Sequence, residues 1–222
     1  MKKDTRIETE LKELESSKTL HLEIAKNMME AYNSSLYPLD LLAVAVFKRS
    51  LSLIRGFSDS IRNKNFICAA PLVRLQLDNL LRFYACFIVT NPHDFAVQIL
   101  DGKHVRNLRD MENKKMTDRH LVEKLSKEFP WIKPVYEETS GYIHLSNKHI
   151  FNTMNSKVED EKRVFTVIVG DEDSEFVKDS LILEAIQAMK EITKVLLKHL
   201  HGWAYTKDNP DKIDQARKNN SH

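Results

Sequence analysis

Residues 70–89 read APLVRLQLDNLLRFYACFIV, the most apolar helix-length stretch of the chain. Val73, Leu77, Leu80, Tyr84 and Phe87, with Leu81 and Ile88 beside them, recur at the three- and four-residue spacing of one helix face. A helix is expected over Ala69–Val89 with Pro71 in its opening turns, because proline deeper inside costs about 3 kcal/mol. Along that helix Arg74, Asp78 and Arg82 stand four residues apart and so share one line. Charges on so apolar a helix must pair with each other or hold something else.

The rest of the chain supports the same class. Of 222 residues, 42% are hydrophobic and 30% charged, a composition with material for a buried core and neither disordered nor membranous. Only 5 glycines and 6 prolines leave little of the turn chemistry that an all-β protein needs. A formal charge of +2 singles out no partner class and argues against a dedicated duplex-DNA binder. No run reaches the roughly 18 apolar residues of a membrane span, so no membrane partner is expected. The opening MKKDTRIETELKELE is charged and helical rather than an export signal. Cys68 and Cys86 would sit roughly 27 Å apart on one continuous helix, too far for a disulfide. A reducing, cytoplasmic location is therefore expected.

Upstream, Ile7, Leu11, Leu14, His21, Ile24 or Ala25, Met28 and Tyr32 form a stripe over Thr5–Asn33, interrupted by Lys18. Its first half is read as free to project or to meet a second copy. Pro38 opens a second helix, Leu39–Arg62, with Val44, Phe47, Leu51, Ile54, Phe57 or Ser58 and Ile61 on its buried face. Gly56 is read as its contact with the third helix.

Downstream, Pro92 opens a short helix to Leu100, and the polar stretch Asp101–Met116 is the expected mobile loop. Another helix, capped by Thr117 or Asp118, reaches Phe129, and a short one follows over Val135–Leu145. Ile150–Met154 and Arg163–Val169 read as strands around an acidic turn, Lys157–Lys162. The acidic DEDSE (171–175) then starts the longest helix, Ser174–Tyr205, with Leu181, Ala185, Ala188, Ile192 and Val195 as its core stripe. The expectation is an all-α bundle of about six helices with one small peripheral β-hairpin at about 150–169. The N-terminal helix, 1–33, is a candidate dimerising element on the bundle of 34–205, and 206–222 is a polar tail.

Two clusters carry chemistry. Arg74, Asp78 and Arg82 are candidate ligand-binding residues, since a guanidinium held by a carboxylate can present its fork to a phosphate or another anion. Alternatively they form an ion-pair ladder that ties the third helix to a neighbour. The segment SGYIHLSNKH (140–149) supplies candidate acid–base residues His144 and His149, and candidate ligand contacts Tyr142 and Ser146; alternatively its histidine is a hydrogen-bonded structural residue in the turn toward the hairpin. Histidines five apart are not a helical metal pair, so no metal site is expected. His93–Asp94 lacks the further ligands of a metal-dependent phosphohydrolase, and no glycine-rich phosphate loop, GxSxG or HExxH occurs. No cofactor is expected.

PLVRLQLDNLLRFYA followed by YEETSGYIHLSNKHI resembles a family of bacterial cytosolic helical proteins without an assigned activity. Its hallmark is an Arg-x3-Asp-x3-Arg helix and then a Ser-Gly-Tyr-x-His segment, here Arg74, Asp78, Arg82, Ser140, Tyr142 and His144. The likeness spans about Leu39–His149. It implies a helical protein with distant links to defence- or toxin-associated RNases, which use an Arg and a His with four to six residues between them. Only Arg217 and His222 have that spacing here, in the terminal tail. Two functions stay open: a binding or interaction protein built on the Arg/Asp/His cluster, or a nucleic-acid-directed effector. The effector would use His144 or His149 as acid–base and Arg74 or Arg82 as phosphate clamp. The expected partners are RNA or a small anionic ligand, with a homodimer as a further candidate.

Overall fold

The computed structural model describes residues 2–144, 146–147, 149–150, 154–159, 162–167, 169–173 and 177–210. The expected helix limits at Leu145 and Ser174, and the tail pair Arg217 and His222, lie outside these residues. Seven α-helices are described: α1 Lys2–Ser34, α2 Pro38–Arg62, α3 Phe66–Tyr84, α4 Pro92–Leu100, α5 Asp118–Leu125, α6 Ile132–Ile143 and α7 Asp179–Asp208. Two segments, β1 Met154–Glu159 and β2 Lys162–Val167, pair antiparallel with Glu159 opposite Lys162. The first paired segment lies later than the expected 150–154 and includes the polar residues Asn155, Ser156 and Lys157.

The core is a helical bundle around α7, which packs against both α1 and α3, while α2 lies along α3. Because α7 is clasped from two sides, Ile186, Met189, Ile192, Val195, Leu196, Leu197 and Leu200 are all buried, far more than one stripe. The first half of α1 does not project. Leu11 and Leu14 are buried, Arg62 grips Glu8 and Glu15, and Lys190 holds Glu10 and Glu13 at 3.0 and 2.7 Å.

On α2 the buried face runs through Ala43, Phe47, Ser50, Ile54, Phe57 and Ser58, leaving Val44 exposed. Phe47, Ile54, Phe57, Ser58 and Ile61 are buried as expected, but small residues let helices approach closely, so Ala43 and Ser50 take the places expected for Val44 and Leu51. Phe87, expected on the α3 stripe, is exposed as well. The helix has ended at Tyr84 and a 3-10 turn, Ala85–Phe87, rotates the chain. α3 also begins earlier than expected. Asn65 accepts from the Cys68 N–H at 3.1 Å, and the Asp173 carboxylate accepts the Phe66 N–H at 2.7 Å. The acidic stretch thus caps α3 instead of starting α7.

One polar chain crosses the bundle. His21 Nδ1 lies 2.8 Å from the Ser17 carbonyl oxygen, which can only accept, so Nδ1 carries the proton. Nε2 therefore accepts from Ser50 Oγ at 2.9 Å. Ser50 Oγ accepts from Gln76 Nε2 at 2.6 Å, and that amide also reaches Thr193 Oγ1 at 3.0 Å. The chain joins α1, α2, α3 and α7 and sets their register, because sliding any helix would orphan a buried polar group.

The stretch Asp101–Met116 is tied down rather than loose. Asp110 Oδ1 accepts the Glu112 and Lys114 N–H groups at 3.0 and 2.8 Å, and Oδ2 lies 2.7 Å from His120 Nε2. Met116 is fully buried, and the Met111 N–H bonds the Ile88 carbonyl at 2.9 Å. No described helix is long and apolar enough to cross a membrane.

Candidate functional site

The four-residue spacing on α3 does bring Asp78 and Arg82 together, at 2.9 Å. Arg74 does not complete a ladder with Asp78. It donates to Asp118 Oδ2 at 3.0 Å, and Arg82 reaches Asp118 Oδ1 at 2.5 Å. Asp118 opens α5, so one carboxylate bridges two guanidiniums and fastens α5 to α3. From α2, Arg49 donates to Asp78 Oδ2 at 3.0 Å. The Arg74 guanidinium also lies 4.5 Å from the centroid of the Tyr136 ring on α6, a cation–π arrangement. Three guanidiniums thus meet two carboxylates, partly open to solvent, with the Arg74 side chain 11% exposed and Arg82 27%. Arg82 Nη1 is buried with no acceptor among the described residues. Arg49, Asp118 and Tyr136 escaped the sequence reading because they come from other helices. The sequence-level signal was weak: an Arg off the apolar stripe of α2, and an Asp next to a helix cap.

The histidine segment lies elsewhere. Phe66 and Tyr142 meet edge to face at 5.7 Å, while Arg74 meets Tyr136, so α3 and α6 run antiparallel. At about 1.5 Å per residue, Arg82 lies roughly 24 Å along α3 from Phe66, whereas His144 follows Tyr142 at the Phe66 end. His144 is exposed. His149 Nδ1 accepts the Ser146 N–H at 3.3 Å, Ser146 Oγ donates to the Gly141 carbonyl at 2.6 Å, and Ser140 Oγ donates to the Tyr136 carbonyl at 2.6 Å. Tyr142 is buried in the core. The expectation of one shared Arg/His site is corrected here: helix direction carries the two clusters apart.

A second constellation went unread in the sequence. Asp40 is fully buried near the start of α2 and accepts from the Tyr37 N–H at 2.8 Å, Trp203 Nε1 at 2.8 Å and Lys207 Nζ at 2.9 Å. Lys207 Nζ also donates to the Met28 carbonyl at 2.8 Å. Lys207 lines a cleft of about 1030 Å³, with Asp40 behind it, and Tyr32, Tyr37, Phe87, His93 and Trp203 are among the other lining residues. Tyr37 and His93 stand 5.2 Å apart, and His93 and Trp203 5.5 Å. His93, set aside as half of a lone His–Asp pair, is thus an aromatic wall, while Asp94 Oδ2 accepts from Asn91 Nδ2 at 2.7 Å. At the rim Tyr32, Asn33 and Ser34 hold φ of 52°, 57° and 58°, a left-handed run that costs L-residues roughly 1–2 kcal/mol each. The sequence signal was Lys207, a lysine four residues after Trp203 on the buried side of α7.

Among the described residues no group of three or more His, Cys, Asp or Glu is placed to hold a metal ion. Compared with protein-family models, curated proteins and solved structures, the chain matches none.

Proposed function

We propose that this protein acts by binding rather than by acid–base catalysis, and that the Arg49–Arg74–Arg82 cluster is the face that takes a phosphate-type anion, free or on RNA. The observation that carries the reading is the charge count: three guanidiniums against two carboxylates, with Arg82 Nη1 lacking an acceptor. An anionic oxygen supplies both the missing charge and the missing acceptor. The remoteness of His144 supports binding over cleavage, since a catalytic pair must share one geometry. The two free thiols, Cys68 exposed and Cys86 buried, support a cytoplasmic setting. Leu22 and Met29, exposed seven residues apart on α1, support that helix as a dimer contact.

The test is retention of a labelled single-stranded RNA and, separately, of pyrophosphate, at 50 and 200 mM salt. Retention that weakens with salt and falls about tenfold or more in Arg82→Lys and Arg49→Ala, with folding intact, supports the reading. No retention of either probe rejects it. RNA cleavage lost in His144→Ala would replace it with the effector reading.

A further inference from the structure

We propose that the cleft above the Asp40–Lys207 pair is a binding site for a planar, uncharged heteroaromatic ring that carries a hydrogen-bond acceptor on its edge. The site does not depend on the arginine cluster.

Three observations converge on that class. Five of the lining residues carry rings: Tyr32, Tyr37, Phe87, His93 and Trp203 border one space. Successive centroids are separated by 6.3 Å from Tyr32 to Tyr37, 5.2 Å from Tyr37 to His93 and 5.5 Å from His93 to Trp203. Aromatic faces prefer offset or edge contact with another ring, and about 1030 Å³ accommodates a ligand of two or three fused rings. The floor selects against charge. Lys207 is already satisfied by Asp40 and the Met28 carbonyl, and Asp40 by three donors. A charged ligand would find no unpaired counter-charge there and would lose its hydration on entry.

His93 supplies the polar edge. Its Nδ1 is buried with no partner among the described residues. Whether that atom carries a proton or a lone pair it stays unsatisfied, so Nε2 is the ring nitrogen left to meet a ligand. In the tautomer protonated at Nε2, the half-buried imidazole donates to a carbonyl or ring nitrogen of a ligand in the cleft. The strained Tyr32–Ser34 turn at the rim fits a site held open by the surrounding fold, as such backbone is kept where the structure over-determines it.

The tryptophan side chains give a direct readout. The chain has 2 tryptophans; Trp203 lines the cleft and Trp131 meets Phe129 edge to face elsewhere. In a 15N-labelled protein the indole N–H resonances are followed while caffeine or adenosine is added, with cyclohexanone and benzoate as controls. The expected result is a saturable shift of the Trp203 signal with the two planar rings, while Trp131 stays still. The expected dissociation constant is at least tenfold weaker in His93→Phe, which keeps the ring and removes its nitrogens. Cyclohexanone, an acceptor without a π-face, should not saturate. No saturable shift with either planar ring overturns the proposal. So does unchanged affinity in His93→Phe, or tighter binding of benzoate than of the uncharged rings. Tyr37→Leu, run with a thermal melt to verify folding, should weaken binding independently of His93.

Discussion

Lys207 Nζ and Asp40 Oδ2 lie 2.9 Å apart across 167 residues of chain, with side chains 1% and 0% exposed. The pair fastens the last turns of α7 to the first turn of α2, and through the Met28 carbonyl to α1. Removing one partner leaves the other buried and uncompensated, which costs about 3–5 kcal/mol. Asp40→Asn should therefore lower stability by that amount in urea unfolding. Adding Lys207→Met to the same chain should restore at least half of the loss. If the double variant is as unstable as the single one, uncompensated charge is not the cause.

Asp118 bridges two guanidiniums at once. Its side chain is 30% exposed, so solvent screens the pair and Asp118→Asn should cost only about 1 kcal/mol. The same change raises the local charge by one unit. If the cluster takes anions, pyrophosphate should bind several-fold more tightly to Asp118→Asn. A purely structural clamp would show the stability loss and no gain in binding.

His21 is buried and His199 half-buried, and loss of water around each ring holds both below the ordinary histidine value. Unfolded, they take up protons below about pH 6.5, while in the fold they stay neutral to lower pH. Their contribution is therefore fully present above about pH 6.5 and lost as pH falls, by up to about 1.4 kcal/mol per pH unit for each. Urea midpoints measured from pH 7.5 to 5.5 should fall. In His21→Asn the slope should flatten even though the variant is less stable throughout. An unchanged slope would show that His21 titrates normally.

A methyl group added at Gly56 would lie 3.5 Å from Leu72 Cδ1, an ordinary contact with the end of a flexible side chain. Glycine inside a helix costs up to about 1 kcal/mol relative to alanine. Gly56→Ala should stabilise the protein by about 0.5–1 kcal/mol, read as a raised melting temperature. A lowered one would mean that α2 and α3 need the closer approach.

Much of the helical architecture was legible in periodicity and punctuation. Pro38 and Pro92 mark helix starts, Thr117 caps α5 by accepting the His120 N–H at 3.3 Å, and the Leu11–Leu14–His21–Ile24–Met28 stripe is the buried face of α1. The misreadings share a physical origin. Val44 was favoured over Ala43 because hydropathy rewards size, whereas close helix packing rewards small side chains. The DEDSE stretch was assigned to its own following helix because capping is usually local, whereas Asp173 caps the distant Phe66 N–H. The polar loop was read as mobile because its anchors, Asp110 to His120 and Met111 to Ile88, are specific pairings that composition does not reveal.

By itself the sequence determined the helices, their apolar faces and the Asp78–Arg82 pair, because such features depend on residues three or four apart, whose geometry any α-helix imposes. Only the tertiary structure decided that Arg74 turns to Asp118, that antiparallel packing separates His144 from Arg82, and that Asp40 holds Lys207 beside a cleft bordered by five rings. Those outcomes depend on which helix lies against which and in what direction. Partners drawn from separate helices leave no periodic mark on the chain.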